Sequence, residues 1–431
     1  MAELITRRMA ILITTPISEP CQLRSAQPSS YAKAIKRPCD TKERPIAEGL
    51  KHCYNSSMTK LTPEHCAARR HRLLAEMQSK RLDAAVITDV RDIYYFTGCL
   101  LPADLPAVWT LRSDGRHALV GPEHHLAAGV EHRVTYAWNL QGTRHTSPLA
   151  HMVEAAREGW QGVGIKRAGC QRQSILDEVR SALADESGCE FEGLDESIAV
   201  MQRVKDPDEI EVIRASIQAN LGAYDAARQA ICPGVTELEV LAAGIQGATV
   251  TVGEKVFHDG DYQCGVLNGP ARNRPCQLGE LYIIDAWTCF RGYWADMSRT
   301  FIVGCEPTDV QRALYDHLRW VHGEVENLLR PGVDGKEVFT ALDEMIRQHP
   351  PLAENGLVHH GGHGTGIRSQ EMPDINRDRG GRFETGNVIC VEPGGYHDEA
   401  RYGVRLENVY LITDDGCEDL CPGEVELLRC G

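Results

Sequence analysis

The stretch Leu281–Gly304, LYIIDAWTCFRGYWADMSRTFIVG, constrains this chain more than any other. Two β-branched and aromatic runs, Tyr282-Ile283-Ile284 and Thr300-Phe301-Ile302-Val303, flank a tight turn at Phe290-Arg291-Gly292. That is the pattern of an antiparallel hairpin. Each strand carries one acid, Asp285 and Asp296. Directly opposed residues of a hairpin have position numbers with a constant sum. For this pair the sum is 581, which centres the turn between Phe290 and Arg291. On that register the two aspartates face each other with Cβ atoms roughly 5 Å apart. Two carboxylates so placed repel and call for a cation, of which a divalent metal is the simplest. An edge hairpin with two solvated acids is the alternative that this stretch alone leaves open.

Downstream segments shift the balance. His359-His360-Gly361-Gly362-His363-Gly364-Thr365-Gly366 is a glycine-dense loop, able to approach a ligand closely and to offer an imidazole to a metal. A third acid lies in Val388-Ile389-Cys390-Val391-Glu392-Pro393 and a fourth in Val404-Arg405-Leu406-Glu407. Glu392 and Glu407 sum to 799, so a regular ladder between them turns at Glu399-Ala400 and sets the two glutamates opposite each other. Four carboxylates and one imidazole match two divalent cations, Mn²⁺ first, with Co²⁺, Fe²⁺ or Zn²⁺ also suited to oxygen and nitrogen donors. Two such cations can hold and deprotonate a water between them and polarise a neighbouring carbonyl.

The rest of the chain gives these segments a frame. At 431 residues two domains are expected, and 42% hydrophobic with 25% charged residues is an ordinary globular balance. A net charge of −15 argues against a nucleic-acid partner, and no apolar run is long enough to span a membrane. Sixteen scattered cysteines without a C-x-x-C pair read as reduced thiols of a cytoplasmic protein. Residues 1–57 lack periodic apolar positions and read as a disordered or spurious extension, with Met58 as an alternative start. Thr62-Pro63 opens a capped helix. Asp83–Thr88 is a buried strand, Ile93–Gly98 follows it closely, and Trp109–Leu111, His117–Val120 and Gly162–Ile165 are further strand candidates. Ile175 to Ala184 reads as helix. Together residues 58–195 make an α/β domain, in which His124-His125 reads as a solvated pair. A second, α+β domain spans residues 206–431. It opens on Asp206-Pro207 as a helix start, then a helix from Thr236-Glu237, one from Thr308 to about Leu329 and one from Gly335 to about Gln348.

In this order, the ligand-bearing segments resemble those of the pita-bread metallopeptidases, the family of methionine aminopeptidase, Xaa-Pro aminopeptidase and prolidase, with creatinase as a metal-free relative. The similarity extends to MQRVKDPDEIEVIR (Met201–Arg214) as the start of the catalytic domain. Leu82–Gly98 is similar to the creatinase-type amino-terminal domain, which favours the prolidase branch. The resemblance implies that Asp285 holds one metal, that Asp296 and Glu407 bridge the two, and that His363 and Glu392 hold the other. Glu392 would also assist proton transfer. All five positions are filled, unlike a creatinase-type site. His359 and Arg405 match positions used by the proline-specific members. Gln370 stands where the family carries a histidine seven residues after the ligand histidine. A second family histidine has no counterpart in the short loop Asn268-Gly269-Pro270 to Arg274-Pro275-Cys276. Glutamine keeps a hydrogen bond there but cannot carry a proton. The expectation is thus a cytoplasmic, homodimeric, two-metal hydrolase of Xaa-Pro bonds in short peptides. A metal-dependent C–N hydrolase or lyase acting on a small molecule, and a non-catalytic binding protein on the same fold, are the rivals.

Overall fold

A computed structural model describes residues 60–123, 130, 132–136, 147–421, 423 and 425–431. The readings of residues 1–57 and of His124-His125 lie outside the described residues. The first helix, α1 (Pro63–Ser79), starts as its sequence dictates: the Thr62 hydroxyl accepts from the His65 N–H at 3.3 Å, and Pro63 fills the first turn. The amino-terminal sheet holds β1 (Ala84–Ile87), β2 (Val108–Arg112), β3 (His117–Pro122), β4 (His132–Tyr136), β5 (Arg167–Cys170) and β6 (Glu190–Gly193). Its order is β4-β3-β2-β1-β5-β6, with parallel pairs β1/β5, β5/β6 and β3/β4. Every residue of the central strand β1 is buried, which is why Ala84–Ile87 is an unbroken apolar run. Helices α2 (Val90–Thr97), α3 (Pro148–Trp160), α4 (Asp177–Ser187) and α5 (Asp195–Arg203) complete this half.

Two readings of this half change. The run Ile93–Gly98 is helix, belonging to α2, because Asp89 caps it through the Arg91 N–H at 2.9 Å and Gly98 closes it in the left-handed region. Ile93 to Thr97 are all buried, so apolar content alone carried no period. Gly162–Ile165 is turn rather than strand, since Gly162 and Gly164 both take positive φ, and the strand starts at Arg167.

The second half begins with α6 (Pro207–Ala230), opened by a capping box between Asp206 and Glu209, and α7 (Glu237–Val252), opened by the same device between Thr236 and Glu239. Ala215, Ala219, Ala223 and Ala227 form a fully buried small-residue stripe on α6, which lets the helix lie close on the sheet beneath it. There the Asn220 amide donates to the Ala286 carbonyl at 2.6 Å. That sheet has the order β17-β9-β8-β7, formed by β7 (Phe257–Asp261), β8 (Leu281–Phe290), β9 (Tyr293–Val303) and, at the far end of the chain, β17 (Leu428–Cys430). The helix expected from Thr308 to Leu329 is interrupted after Gly323, giving α8 (Asp309–Gly323) and α9 (Val325–Leu328), and α10 (Gly335–Ile346) follows. A second sheet, order β11-β10-β12-β15-β16, holds β10 (Gly362–Gly364), β11 (Glu371–Ile375), β12 (Val388–Val391), β15 (Asn408–Ile412) and β16 (Cys417–Asp419). The ribbon β13 (Gly394–His397) and β14 (Tyr402–Arg405) is a separate two-stranded sheet, bonded to β9 where the Arg405 N–H donates to the Thr300 hydroxyl at 3.1 Å.

The aspartate hairpin is present, but its register differs from the expected one. Asp285 pairs with Ser298 and Asp296 with Trp287, so opposed numbers sum to 583. The reason lies in the turn. Arg291 and Gly292 have φ of 46° and 84°, the two positive values of a type I′ turn, which centres the hairpin one residue later. The aspartates therefore sit diagonally on one face, roughly 7–8 Å apart, and not directly opposed. The glutamate pair keeps its expected sum: 799 relates Val391 to Asn408 in the inner ladder and Gly394 to Arg405 in the outer ribbon. The two sheets meet where the Glu407 N–H donates to the Ser298 carbonyl at 3.1 Å, beside Asp285.

Candidate active site

His363 lies on a short strand rather than in a free loop. Its neighbour Gly362 has φ of 148°, and a Cβ there would stand 2.0 Å from the Cys390 carbonyl oxygen, so only glycine lets β10 close on β12. The imidazole Nδ1 is 2.9 Å from the Gly364 carbonyl. A proton on Nδ1 fixes the tautomer and leaves the Nε2 lone pair free, 3.7 Å from Asp296 Oδ2. Asp285, Glu392 and Glu407 converge with carboxylate oxygens within 4.8 Å of one another. His363, Cys390 and Glu407 form a second group of the same tightness. Burial drives the Cys390 thiol well above its ordinary value, which makes it a neutral wall rather than a ligand.

The donor set fits divalent cations. Asp296 Oδ1 and both carboxylate oxygens of Glu407 are buried without a hydrogen-bond partner, and Glu407 is 1% exposed. Orphaned buried oxygens of this kind carry a desolvation cost that a cation removes. The same crowding shows in the protonation equilibria. Burial first, then the neighbouring Asp285, push Asp296 far above the carboxylate range, and burial with Asp296 does the same to Glu407. Burial raises Glu392 to about 8 against the pull of Arg405. Without cations, these acids hold protons.

Around the acids runs a chain of hydrogen bonds. Arg405 Nη1 is bonded to Asp285 Oδ2 and lies 3.7 Å from Glu392 Oε2, while its Nε donates to the Tyr396 hydroxyl at 2.9 Å. Tyr396 in turn is 2.9 Å from His359 Nε2, whose Nδ1 is 2.6 Å from the His360 carbonyl. His360 Nδ1 approaches Glu392 Oε1 at 3.1 Å. The structure thus brings together Asp285, Asp296, His363, Glu392, Glu407, His359 and Arg405.

The comparisons with known proteins agree with this geometry. The model of metallopeptidase family M24 matches residues 211–414, and that of the creatinase/prolidase N-terminal domain matches residues 69–203. The chain carries an M24 metallopeptidase domain behind a creatinase/prolidase N-terminal domain, the arrangement of the pita-bread, prolidase type. It is 29% identical to the Xaa-Pro dipeptidase of Pyrococcus furiosus over 244 residues, which is 56% of this chain and 69% of that protein. With the Xaa-Pro dipeptidase of Pyrococcus horikoshii it shares 29% over 274 residues, 62% of this chain and 76% of the relative. The crystal structure of the prolidase from Pyrococcus horikoshii OT3 has the same fold, with a TM-score of 0.69 at 24% identity over 84% of this chain and 99% of that one. So does the X-Pro aminopeptidase from Thermotoga maritima MSB8, with a TM-score of 0.70 at 21% identity over 84% and 99%.

Within this M24 domain, Gln370 is exposed on the segment leading into β11. Cys276 is buried, and its thiol faces that of Cys264. Asn268 is what the short loop brings to the site, its Nδ2 donating to Asp285 Oδ2 at 3.3 Å. Sequence reasoning missed Asn268, Tyr396, His360 and Asp261. Tyr396 was within reach, since the 799 register pairs it with Gly403 and so puts it on Arg405's face of the ribbon. A Cβ on Gly403 would stand 2.0 Å from the Tyr396 ring, so this glycine makes room for the tyrosine. Asp261 pairs with Asp285 and shares its face, but β7 has no strand-like sequence signature to reveal it.

Proposed function

We propose that this chain hydrolyses the bond before proline in short peptides, as a dipeptidase or aminopeptidase with two divalent metals, Mn²⁺ by preference. The observation that carries this reading is the set of orphaned buried oxygens on Asp296 and Glu407, set among three further ligand side chains. Asp285 would hold one metal, His363 and Glu392 the other, with Asp296 and Glu407 shared. Bound, the metals supply a water that ionises near neutrality and a Lewis acid for the scissile carbonyl. Glu392 takes the proton of the attacking water and delivers it to the departing prolyl nitrogen. Arg405, whose Nε is held by Tyr396 and through it by His359, presents its remaining N–H donors beside Glu392 to orient the carboxylate end of a short peptide. Gln370 offers one further hydrogen bond from the rim. In this reading residues 58–195 form the amino-terminal domain and residues 206–431 the catalytic one, in a cytoplasmic homodimer. No helix among the described residues is long and apolar enough to cross a membrane.

A second reading, C–N hydrolysis or elimination on a small non-peptide molecule, draws on Asn268. A neutral amide touches Asp285 from the loop in which the resemblance leads one to expect a histidine. The test is a turnover screen of the Mn²⁺- and Co²⁺-loaded protein against Xaa-Pro dipeptides, longer Xaa-Pro peptides and small amidines or betaines. Cleavage of Xaa-Pro dipeptides is expected. Two bound metals with no peptide turnover would reject the first reading.

A further inference from the structure

Arg368, five residues after His363, reaches out of the M24 domain into the amino-terminal half. Its guanidinium meets Asp92 of α2 fork to fork, Nη1 donating to Oδ1 at 3.1 Å and Nη2 to Oδ2 at 2.8 Å. Asp92 is fully buried, and each of its oxygens takes a further bond at 2.6 Å, from Gln202 Nε2 and from Gln171 Nε2. Arg368 Nη1 also donates to Gln202 Oε1 at 3.0 Å. On the loop side, the Arg368 N–H donates to Glu371 Oε1 at 3.0 Å, and Glu371 Oε2 takes the buried Lys205 ammonium at 2.7 Å. The Trp294 N–H, two residues before Asp296, donates to the Gly366 carbonyl at 2.8 Å. Residues 366–371 are therefore tied at once to the amino-terminal domain, to the segment joining the halves and to β9.

The placement of this tie is what gives it meaning. On one side β10 keeps an unbroken ladder to β12, through Gly364 opposite Ile389 and the Thr365 N–H on the Val388 carbonyl at 2.9 Å. On the other its pairing with β11 shifts register between His363 and Gly364, so the chain beyond Thr365 is held by the contacts of residues 366–371. A buried ion pair is also a poor source of stability, since an apolar pair of the same volume serves as well. What a guanidinium–carboxylate fork adds is direction.

We propose that Asp92 is a positioning residue: acting through Arg368, it fixes the segment that follows His363 and thereby the imidazole's aim at the metal site. The kinetic part of the test rests on the peptidase reading above, the metal-binding part only on the metal site. Three variants separate positioning from stability. Asp92→Asn removes the carboxylate, and Arg368→Lys keeps the charge but loses the fork. Asp92→Asn with Arg368→Gln removes both charges together, so that no unpaired charge stays buried. Each is measured for melting temperature, for Mn²⁺ binding to the metal-free protein by titration calorimetry, and for steady-state kinetics on an Xaa-Pro dipeptide. In the two single variants, Mn²⁺ binding at one of the two sites is expected to fall by about tenfold or more. Their kcat is expected to fall by about ten- to a hundredfold, with KM changed by less than about threefold. The double variant regains melting temperature but neither kcat nor Mn²⁺ affinity. Recovery of all three together in the double variant, or single variants that bind Mn²⁺ as the wild type does, would overturn the proposal. If the wild type cleaves no Xaa-Pro peptide, the functional reading falls by itself. The Mn²⁺ titration then decides alone, weakened binding supporting the proposal and unchanged binding rejecting it.

Discussion

The two acid-bearing hairpins of the catalytic half look alike in sequence and are built on different principles. The aspartate hairpin β8–β9 is closed by two residues, and its register depends wholly on the dihedrals of Arg291 and Gly292. The glutamate pair is joined by a longer tip, Asp398–Ala400, and its register is held by two ladders on either side of the glutamates. A tight turn passes its geometry directly to every cross-strand pair, so an error of one residue in its centre moves each pairing by two. Two ladders of buried strands correct one another instead. The contrast extends to chemistry. Both arms bring orphaned oxygens, Asp296 Oδ1 from one and the two of Glu407 from the other, but the glutamate arm also adds a cation, Arg405, bonded across to Asp285.

Removing one acid from each arm tests whether they form one site. Asp296→Asn and Glu407→Gln are each expected to lower bound Mn²⁺ from two equivalents to one or fewer and to cut kcat by roughly 10²–10⁴-fold. Elemental analysis after desalting, beside kinetics, is the check. Full metal content in either variant would show that the two arms do not share cations.

The aspartate sheet also carries a pH liability away from the acids, on its edge strand β7. His258 on β7 is buried between the Thr288 hydroxyl at 2.7 Å and the Tyr262 hydroxyl at 2.8 Å, and burial lowers it from 6.5 to about 4. The folded protein therefore refuses a proton that the unfolded chain accepts. The contribution of His258 to stability is complete above pH 6.5 and is lost as the pH falls toward 4, about 3 kcal/mol at 1.36 kcal/mol per unit. Denaturant melts between pH 7 and 4 should show that loss, and His258→Gln should flatten it. An unchanged slope in the variant would assign the acid sensitivity elsewhere.

Smaller effects are expected at the turn. Gly292→Val forces a β-branched residue to positive φ, with its Cβ 3.2 Å from the Tyr94 ring. A loss of about 2 kcal/mol, seen as a fall of several degrees in melting temperature, is expected. The counterpart change in the glutamate tip, Glu399→Ala, alters an exposed side chain and should cost less than about 0.5 kcal/mol. Equal losses at the two places would contradict the difference in how the registers are set. The smallest effect is at the rim. Gln370→His should leave both metals bound and preserve or raise kcat on an Xaa-Pro dipeptide, because an imidazole can transfer a proton as well as offer the hydrogen bond proposed for glutamine. Lower peptide turnover with intact metals would favour the small-molecule reading.

Much of this was legible in the sequence wherever the signal is local. Thr62, Asp206, Thr236 and Thr308 announce helix starts because a capping side chain bonds to backbone two or three residues away. The acids and His363 announce a metal site because buried like charges need a cation, and that holds whatever the exact register. The sequence did not determine the register of the aspartate hairpin, which the turn dihedrals set, nor that Ile93–Gly98 is helical, since a wholly buried run carries no period. Only tertiary structure decided that Arg405 meets Asp285, that Tyr396 links it to His359, and that Asp92 takes hold of Arg368 across 276 residues of chain. Those contacts join elements brought together by packing of whole sheets and helices, and no spacing between residues encodes where two such surfaces meet.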